Sequence, residues 1–382
     1  MDRLAQTGLL PQGLSDILPP EAGFEAAAVE RLLAAFAARG YERVKPPLIE
    51  FEEAFLSSAS ADVARQTFRL MDPESRRMMA LRSDITPQIA RIAATRLKDA
   101  PRPLRLSYAG QVLQVSGTQL RPERQFGQAG IELVGAETAL ADAEVVTLAA
   151  ESLRELGLDE IAVDLNLPTL VATVAEAFGF NESEVARLRS VLDRKDEAAV
   201  GPIAGKHSAV LLGMLRAFGP ADKALQQLAG MALPDSARSD LQHLTEAVEL
   251  IRRHSPALPL TFDPVEHRGF EYQSGMSFVL FAPAVRGELG RGGRYRTQAG
   301  EAATGFTLYT DTLLRALPRP RPANRLLVHP DLSSSTAADL RRQGWVTIGA
   351  LSKNLDLLSE AGRLGCSHAW IDGAPRPVKS DR

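Results

Sequence analysis

Three separated segments hold most of the side chains that could bind or transform a small polar molecule. The first is Leu106-Ser107-Tyr108-Ala109-Gly110-Gln111-Val112-Leu113-Gln114 and the second is Arg268-Gly269-Phe270-Glu271-Tyr272-Gln273-Ser274-Gly275. The third is Gly292-Gly293-Arg294-Tyr295, followed by Gly305-Phe306-Thr307-Leu308-Tyr309-Thr310-Asp311-Thr312. Glycines at 287, 290, 292 and 293 invite a phosphate-cradle reading. No Gly-Lys-Ser/Thr or G-x-G-x-x-G arrangement follows them, so they read as turn and bulge glycines. Cys366 has His368 two residues on, but no third group is evident to orient that histidine as a base, and the pair reads as structural. The six histidines, His254 and His267 among them, show no spacing that would clamp a metal, and a single cysteine excludes an internal disulfide. Neither a metal nor a cofactor is expected.

The bulk composition narrows the function classes. At 382 residues the chain can bury a large core, and a prior of about 150 residues per domain suggests two or three domains. Hydrophobic content of 45% and charged content of 24% disfavour disorder and membrane spanning. The net charge is −3 and no basic run stands out, so no electrostatic footprint for nucleic acid is visible and no tRNA partner is expected. No stretch reads as the ~20 apolar residues of a spanning helix, and a cytoplasmic protein is expected.

Positioning those polar segments requires strands from distant parts of the chain. Residues 21–39 have an amphipathic helix pattern, with Phe24, Ala28, Leu32 and Phe36 at helical spacing and Gly40 as cap. Residues 41–45 read as a short strand closed by Pro46-Pro47. A hairpin is expected from 67–71 and 78–81 around the turn 72–75. Thr86 as N-cap with Pro87 at the first position starts a helix to about Leu97. Strands follow at 104–115 and 125–134, then a helix from Leu140 to Leu156 and a strand at 161–165. From about Thr169 to His254 the pattern is helical, with breaks at Gly201-Pro202, Gly219-Pro220 and Pro234, and reads as an insertion over about 172–256. Strands resume at 258–262, 272–281 and 304–309, and a helix runs to Leu317. Pro318-Arg319-Pro320-Arg321-Pro322 reads as a stiff linker between a core of residues 1–318 and a small α/β unit of 319–382. The whole is α+β, a mainly antiparallel sheet flanked by helices.

The segments 124–135, 268–272 and 292–295, in this order and spacing, resemble the catalytic core of histidyl-tRNA synthetases over roughly residues 10 to 318. The resemblance implies the class II aminoacyl-tRNA synthetase fold, with a dimer interface built partly from the first long helix and the strand ending at Pro46-Pro47. It places Asp84, Thr86 and Gln128 around the α-ammonium of a bound histidine, Arg268 near its carboxylate, and Glu132, Tyr272 and Tyr295 near its imidazole. That assignment fits the chemistry: an ammonium needs acceptors, a carboxylate is best met by a guanidinium, and an imidazole N–H needs a carboxylate or hydroxyl partner. Gln273 stands where the family usually has a second tyrosine against the imidazole, and Asp84 replaces a longer glutamate.

Amino-acid activation also requires cations that hold phosphate charge as the transition state forms. Two arginines that supply them in the family align with Gln114 and Thr312, and the glutamate two residues beyond the first aligns with Ser116. Arg124 remains where the family has a phosphate contact. The terminal unit of about 60 residues is smaller than the family's anticodon-binding domain. Shortened relatives of this kind resemble the synthetase-like regulatory subunits of ATP phosphoribosyltransferase. That similarity implies no independent catalysis and a homodimer within a hetero-oligomer with the short-form catalytic subunit. It further implies a role in the first step of histidine biosynthesis, with histidine as feedback effector. The competing readings are an active histidyl-tRNA synthetase and another synthetase-like binding module.

Overall fold

Residues 125–134 bury all but their first member, so this strand carries packed side chains on both faces, and period-two alternation divides them. Ala129, Ile131 and Leu133 enter a large core, while Phe126 and Val134 enter a smaller one on the opposite face, the side that also takes Gln128 and Glu132. These assignments come from a computed structural model that describes residues 8–56, 59–119, 121–267, 273–320 and 322–378.

The strands of the larger unit are β1 (Glu42–Arg43), β2 (Ile49–Phe51), β3 (Arg69–Met71), β4 (Met78–Leu81), β5 (Leu104–Leu113), β6 (Gln125–Val134), β7 (Ala162–Asn166), β8 (Gly219–Pro220), β9 (Leu260–Asp263), β10 (Gln273–Phe281), β11 (Gly290–Arg296) and β12 (Ala302–Tyr309). Nine of them form one sheet in the order β1-β5-β6-β12-β11-β10-β7-β9-β8. Within this sheet, among the described residues, only β1/β5 and β7/β9 pair in parallel. The hairpin β3/β4 and strand β2 make a separate three-stranded sheet.

On the large-core face lie the helices Glu21–Ala37 and Ala139–Glu155. The first buries Ala28, Leu32 and Phe36, the stripe expected from their spacing, and Phe36 meets Phe306 edge to face at 5.6 Å. On the other face the helix Thr86–Thr95 packs Ile89 and Ala93 near Leu106 and Tyr108, covering only part of the sheet. The chain divides into two compact units, Met1–Pro318 and Arg319–Arg382.

Six helices at Leu170–Ala177, Glu182–Asp193, Glu197–Ala204, Ser208–Arg216, Ala221–Ala229 and Asp235–His254 form the helical block. Its second helix starts at a capping box in which Asn181 and Glu184 exchange side-chain-to-backbone bonds. The expected break at Gly201-Pro202 is absent: Pro202 lies inside a helix, and the chain turns instead at Gly205, whose φ of 53° is left-handed. By length and composition alone Glu197–Arg216 could cross a membrane. A 3₁₀ turn at Gly205–His207 interrupts it, and it buries Val200, Ala204, Leu211 and Met214 in the large core.

Two further expectations are corrected. Thr86 is the first residue of its helix rather than the cap, and the Asp84 carboxylate accepts its N–H at 3.4 Å. Of the four glycines read as turn and bulge residues, Gly290, Gly292 and Gly293 belong to central strand β11, with a register irregularity of β10 facing Gly293–Tyr295, while Gly287 has the positive φ of a turn. Close packing explains the strand glycines: a Cβ on Gly292 would stand 2.4 Å from Gly305 O and 2.5 Å from the Phe278 ring. Aromatic bulk on β10 therefore requires an absent side chain on β11.

The smaller unit has strands β13 (Arg325–Val328), β14 (Val346–Gly349), β15 (His368–Ile371) and β16 (Ala374–Pro377), in the order β14-β13-β15-β16. Its helices are Ser334–Arg342 and Leu357–Arg363. Strand β16, which sequence reasoning missed, pairs antiparallel with β15 despite prolines at 375 and 377, because it is an edge strand. Cys366 is buried beside Leu327 and Ala361, and burial pushes its thiol up in pKa.

Candidate functional site

The half-covered face of the sheet leaves a polar cavity where β6, β11 and β12 run side by side. Glu132 lies opposite Gly305 of β12, and a Cβ on Gly305 would stand 2.0 Å from the Glu132 Oε2. The missing side chain gives the carboxyl its room. Tyr295 of β11 donates its hydroxyl to Glu132 Oε2 at 3.0 Å. Tyr108 of β5 donates to Oε1 at 3.4 Å and shares a 2.7 Å bond with the Thr307 hydroxyl. Thr86 approaches the same Tyr108 hydroxyl at 3.3 Å. At the other end Gln128 Oε1 accepts the Ile85 N–H at 3.0 Å, which joins the sheet to the start of the helix.

Tyr295 is held from behind by an ion cluster. Its neighbour Arg294 points to the opposite face, as alternation demands, and its Nη2 lies 2.9 Å from Asp142 Oδ2. The fully buried Asp142 also receives the Thr304 hydroxyl at 2.8 Å and meets His243 Nε2 at 2.9 Å. Four elements converge there: strands β11 and β12, the helix Ala139–Glu155 and the last helix of the helical block.

Burial dominates the electrostatics. Desolvation raises the Glu132 carboxyl to about 8, and neighbouring Asp84 pushes the same way, while the Tyr295 hydroxyl pulls against both. The Asp84 carboxyl is raised as well, first by burial, with the Thr86 N–H and the Gln128 amide opposing. Burial beside Glu132 lifts Tyr108 well above the usual phenol value, so it remains a proton donor. The pocket thus holds carboxyls that burial makes reluctant to ionise and that a positive group would favour in the charged form.

The inner cavity has about 40 Å³ of solvent-accessible volume. Two larger chambers of about 200 and 180 Å³ adjoin it, and Asp84 lines all three. Asp84, Thr86, Gln128, Glu132 and Tyr295 therefore share one site. Gln273 sits across from Tyr295 in the β10/β11 register. It is buried, its amide donates to Gly292 O at 3.2 Å, and its Oε1 has no hydrogen-bond partner among the described residues. Arg268 and Tyr272 lie outside the described residues.

Among the degenerate positions only Gln114 lines a chamber wall, donating weakly to Ser83 O at 3.5 Å. Ser116 is exposed against Gln66, and buried Thr312 accepts from Arg315 at 3.2 Å. Arg124, aligned with a phosphate contact, holds backbone instead, reaching Gln114 O and Gln12 O at 3.2 Å each. Sequence reasoning missed Tyr108, Thr307, Arg121 and Arg291. Tyr108 and Thr307 stood inside quoted segments, and their faces follow from alternation once the register is known, since both lie opposite Gly130. Nothing local marks Arg121 or Arg291, whose positions depend on a loop and on a strand read as turns.

Residues 13–313 match the family model described as histidyl-tRNA synthetase. The chain is 55% identical to an ATP phosphoribosyltransferase regulatory subunit from Rhodospirillum centenum, over 97% of this chain and 96% of that one. It is 50% identical to one from Rhodospirillum rubrum, over 98% of each. The chain belongs to the ATP phosphoribosyltransferase regulatory subunit family. Its fold matches the crystal structure of an ATP phosphoribosyltransferase regulatory subunit/histidyl-tRNA synthetase from Bacillus halodurans. The TM-score is 0.82 at 24% identity, covering 93% of this chain and 96% of that one. A histidyl-tRNA synthetase from Nostoc sp. PCC 7120 gives 0.77 at 19% identity, covering 96% and 92%. The fold of this regulatory-subunit family is thus the class II synthetase fold, as the three motifs implied.

Proposed function

We propose that this chain is a non-catalytic subunit that activates a short-form ATP phosphoribosyltransferase catalytic subunit in the first step of histidine biosynthesis, and that its synthetase-like pocket senses free histidine. The observation that carries this reading is the acceptor set around one cavity. Glu132, with two tyrosine hydroxyls, suits an imidazole, and Asp84 and Gln128 suit an ammonium. Arg268 and Tyr272 complete the assignment by family resemblance. Gln114 and Thr312 in place of activating arginines support the loss of adenylation. One lost transition-state donor costs about 3 kcal/mol, roughly two orders of magnitude in rate.

A feedback effector must bind one state of the complex more tightly than the other, because equal affinity shifts nothing. The test is to mix the chain with a short-form catalytic subunit, follow phosphoribosyl-ATP formation, and titrate histidine. Stimulation by the chain and inhibition by histidine are expected, with the inhibition lost in Glu132→Ala. Histidine-dependent ATP–pyrophosphate exchange by the chain alone would revive the synthetase reading.

A further inference from the structure

The ammonium and carboxylate of an amino acid share one carbon, so the groups that receive them must be neighbours. Asp84 and Gln128 line both the inner cavity and the 180 Å³ chamber, and among the described residues so does one guanidinium, Arg291. Arg291 sits on β11 between Val279 and Thr307. Glu288 steers it from below, accepting from its Nη2 at 2.7 Å and its Nε at 3.1 Å, and about a third of the side chain stays exposed. Arg121 lines only the outer chamber, where it stacks 3.8 Å over the Tyr309 ring and lies 3.3 Å from Asp311. Asp62 also faces that chamber, so its wall carries both signs of charge. Burial raises the Asp84 carboxyl, and Arg291 is among the groups that oppose the rise, as a close cation would.

Resting on the amino-acid reading of the site, we propose that Arg291 receives the ligand α-carboxylate and is a residue by which this pocket distinguishes a free amino acid from its amine or ester. The ligand class follows: a zwitterion, with the imidazole on Glu132, the ammonium on Asp84 and Gln128, and the carboxylate at the opening between the two chambers. An ester or amide of the carboxyl would meet the same arginine without a charge to pair with it.

Calorimetric titration of the full chain with histidine, histamine and histidine methyl ester tests this in wild type, Arg291→Ala and Arg291→Lys. In wild type, histidine is expected to bind tightest. Arg291→Ala should weaken histidine about 10- to 100-fold, the range of a charge-assisted hydrogen bond, and leave the other two unchanged. Arg291→Lys should recover part of the loss, and it carries the same comparison if the alanine variant does not fold. Equal weakening of all three ligands, or unchanged histidine binding, would overturn the role of Arg291 while leaving the pocket an amino-acid site. No histidine binding by wild type would overturn the amino-acid reading, and the inference with it.

Discussion

Glu132 is where a single side chain controls the behaviour of the pocket. Its carboxyl titrates at about 8 when folded, against the 4.5 of the free side chain. Between those values the folded state binds more protons than the unfolded state. The stability it contributes is therefore full below pH 4.5 and is lost as pH rises through about 8. Each unit of that window costs up to about 1.4 kcal/mol. Urea midpoints of the ligand-free protein should fall between about pH 5 and pH 8, and Glu132→Gln should flatten the fall. Equal slopes for the two proteins would refute the assignment. Histidine binding should be pH-dependent too, because the carboxyl–imidazole pair shares one proton. Affinity should be level between the imidazole value of about 6.5 and the carboxyl value of about 8, then drop about tenfold per unit above it. Titrations that stay level beyond that point would show that Glu132 does not hold the shared proton.

At the scale of elements, the pocket depends on β11 and β12 being thin where they pass Glu132. Gly305→Ala would drive a methyl to within 2.5 Å of Ile131 O as well as into the carboxyl, and backbone cannot swing away. Overpacking of this kind costs about 1–3 kcal/mol, and histidine binding should be lost with it. A variant with wild-type midpoint and affinity would show the strands to be more pliable than their spacing implies. Behind them, Asp142→Ala would leave Arg294, with a side chain only 6% exposed, without its carboxylate partner. The expected loss is about 3–5 kcal/mol in chemical unfolding, far above a surface pair. A change below about 1 kcal/mol would mean that water or a rearranged partner replaces the carboxylate.

For the molecule as a whole, the two units carry separate cores: Leu327, Ala361 and Leu340 lie in the smaller one, and the pocket lies wholly in the larger. A chain ending at Pro318 should fold and bind histidine within about twofold of the full chain, as measured by calorimetry, because domains with their own cores fold alone. Loss of binding on truncation would show that the smaller unit supports the pocket. Much of the architecture was legible beforehand. The helix Glu21–Ala37, the hairpin β3/β4 and the long strands β5 and β6 all fall near their expected positions, because caps, prolines and periodicity act over a few residues. Strand β11 was not legible, since three of its residues are glycines and the reason for them, close packing against β10 and the β12 backbone, lies on other strands.

The chain by itself determined the fold class, the family and the chemical types of the acceptors, because these rest on short-range patterns and on motifs that read in order. Only the folded molecule decided which polar groups share a cavity. It sets Glu132 under Tyr108 and Tyr295, turns Arg124 to the backbone, and brings Arg291 beside Asp84. Those outcomes depend on strand register across residues separated by more than a hundred positions, and no local propensity encodes such a distance.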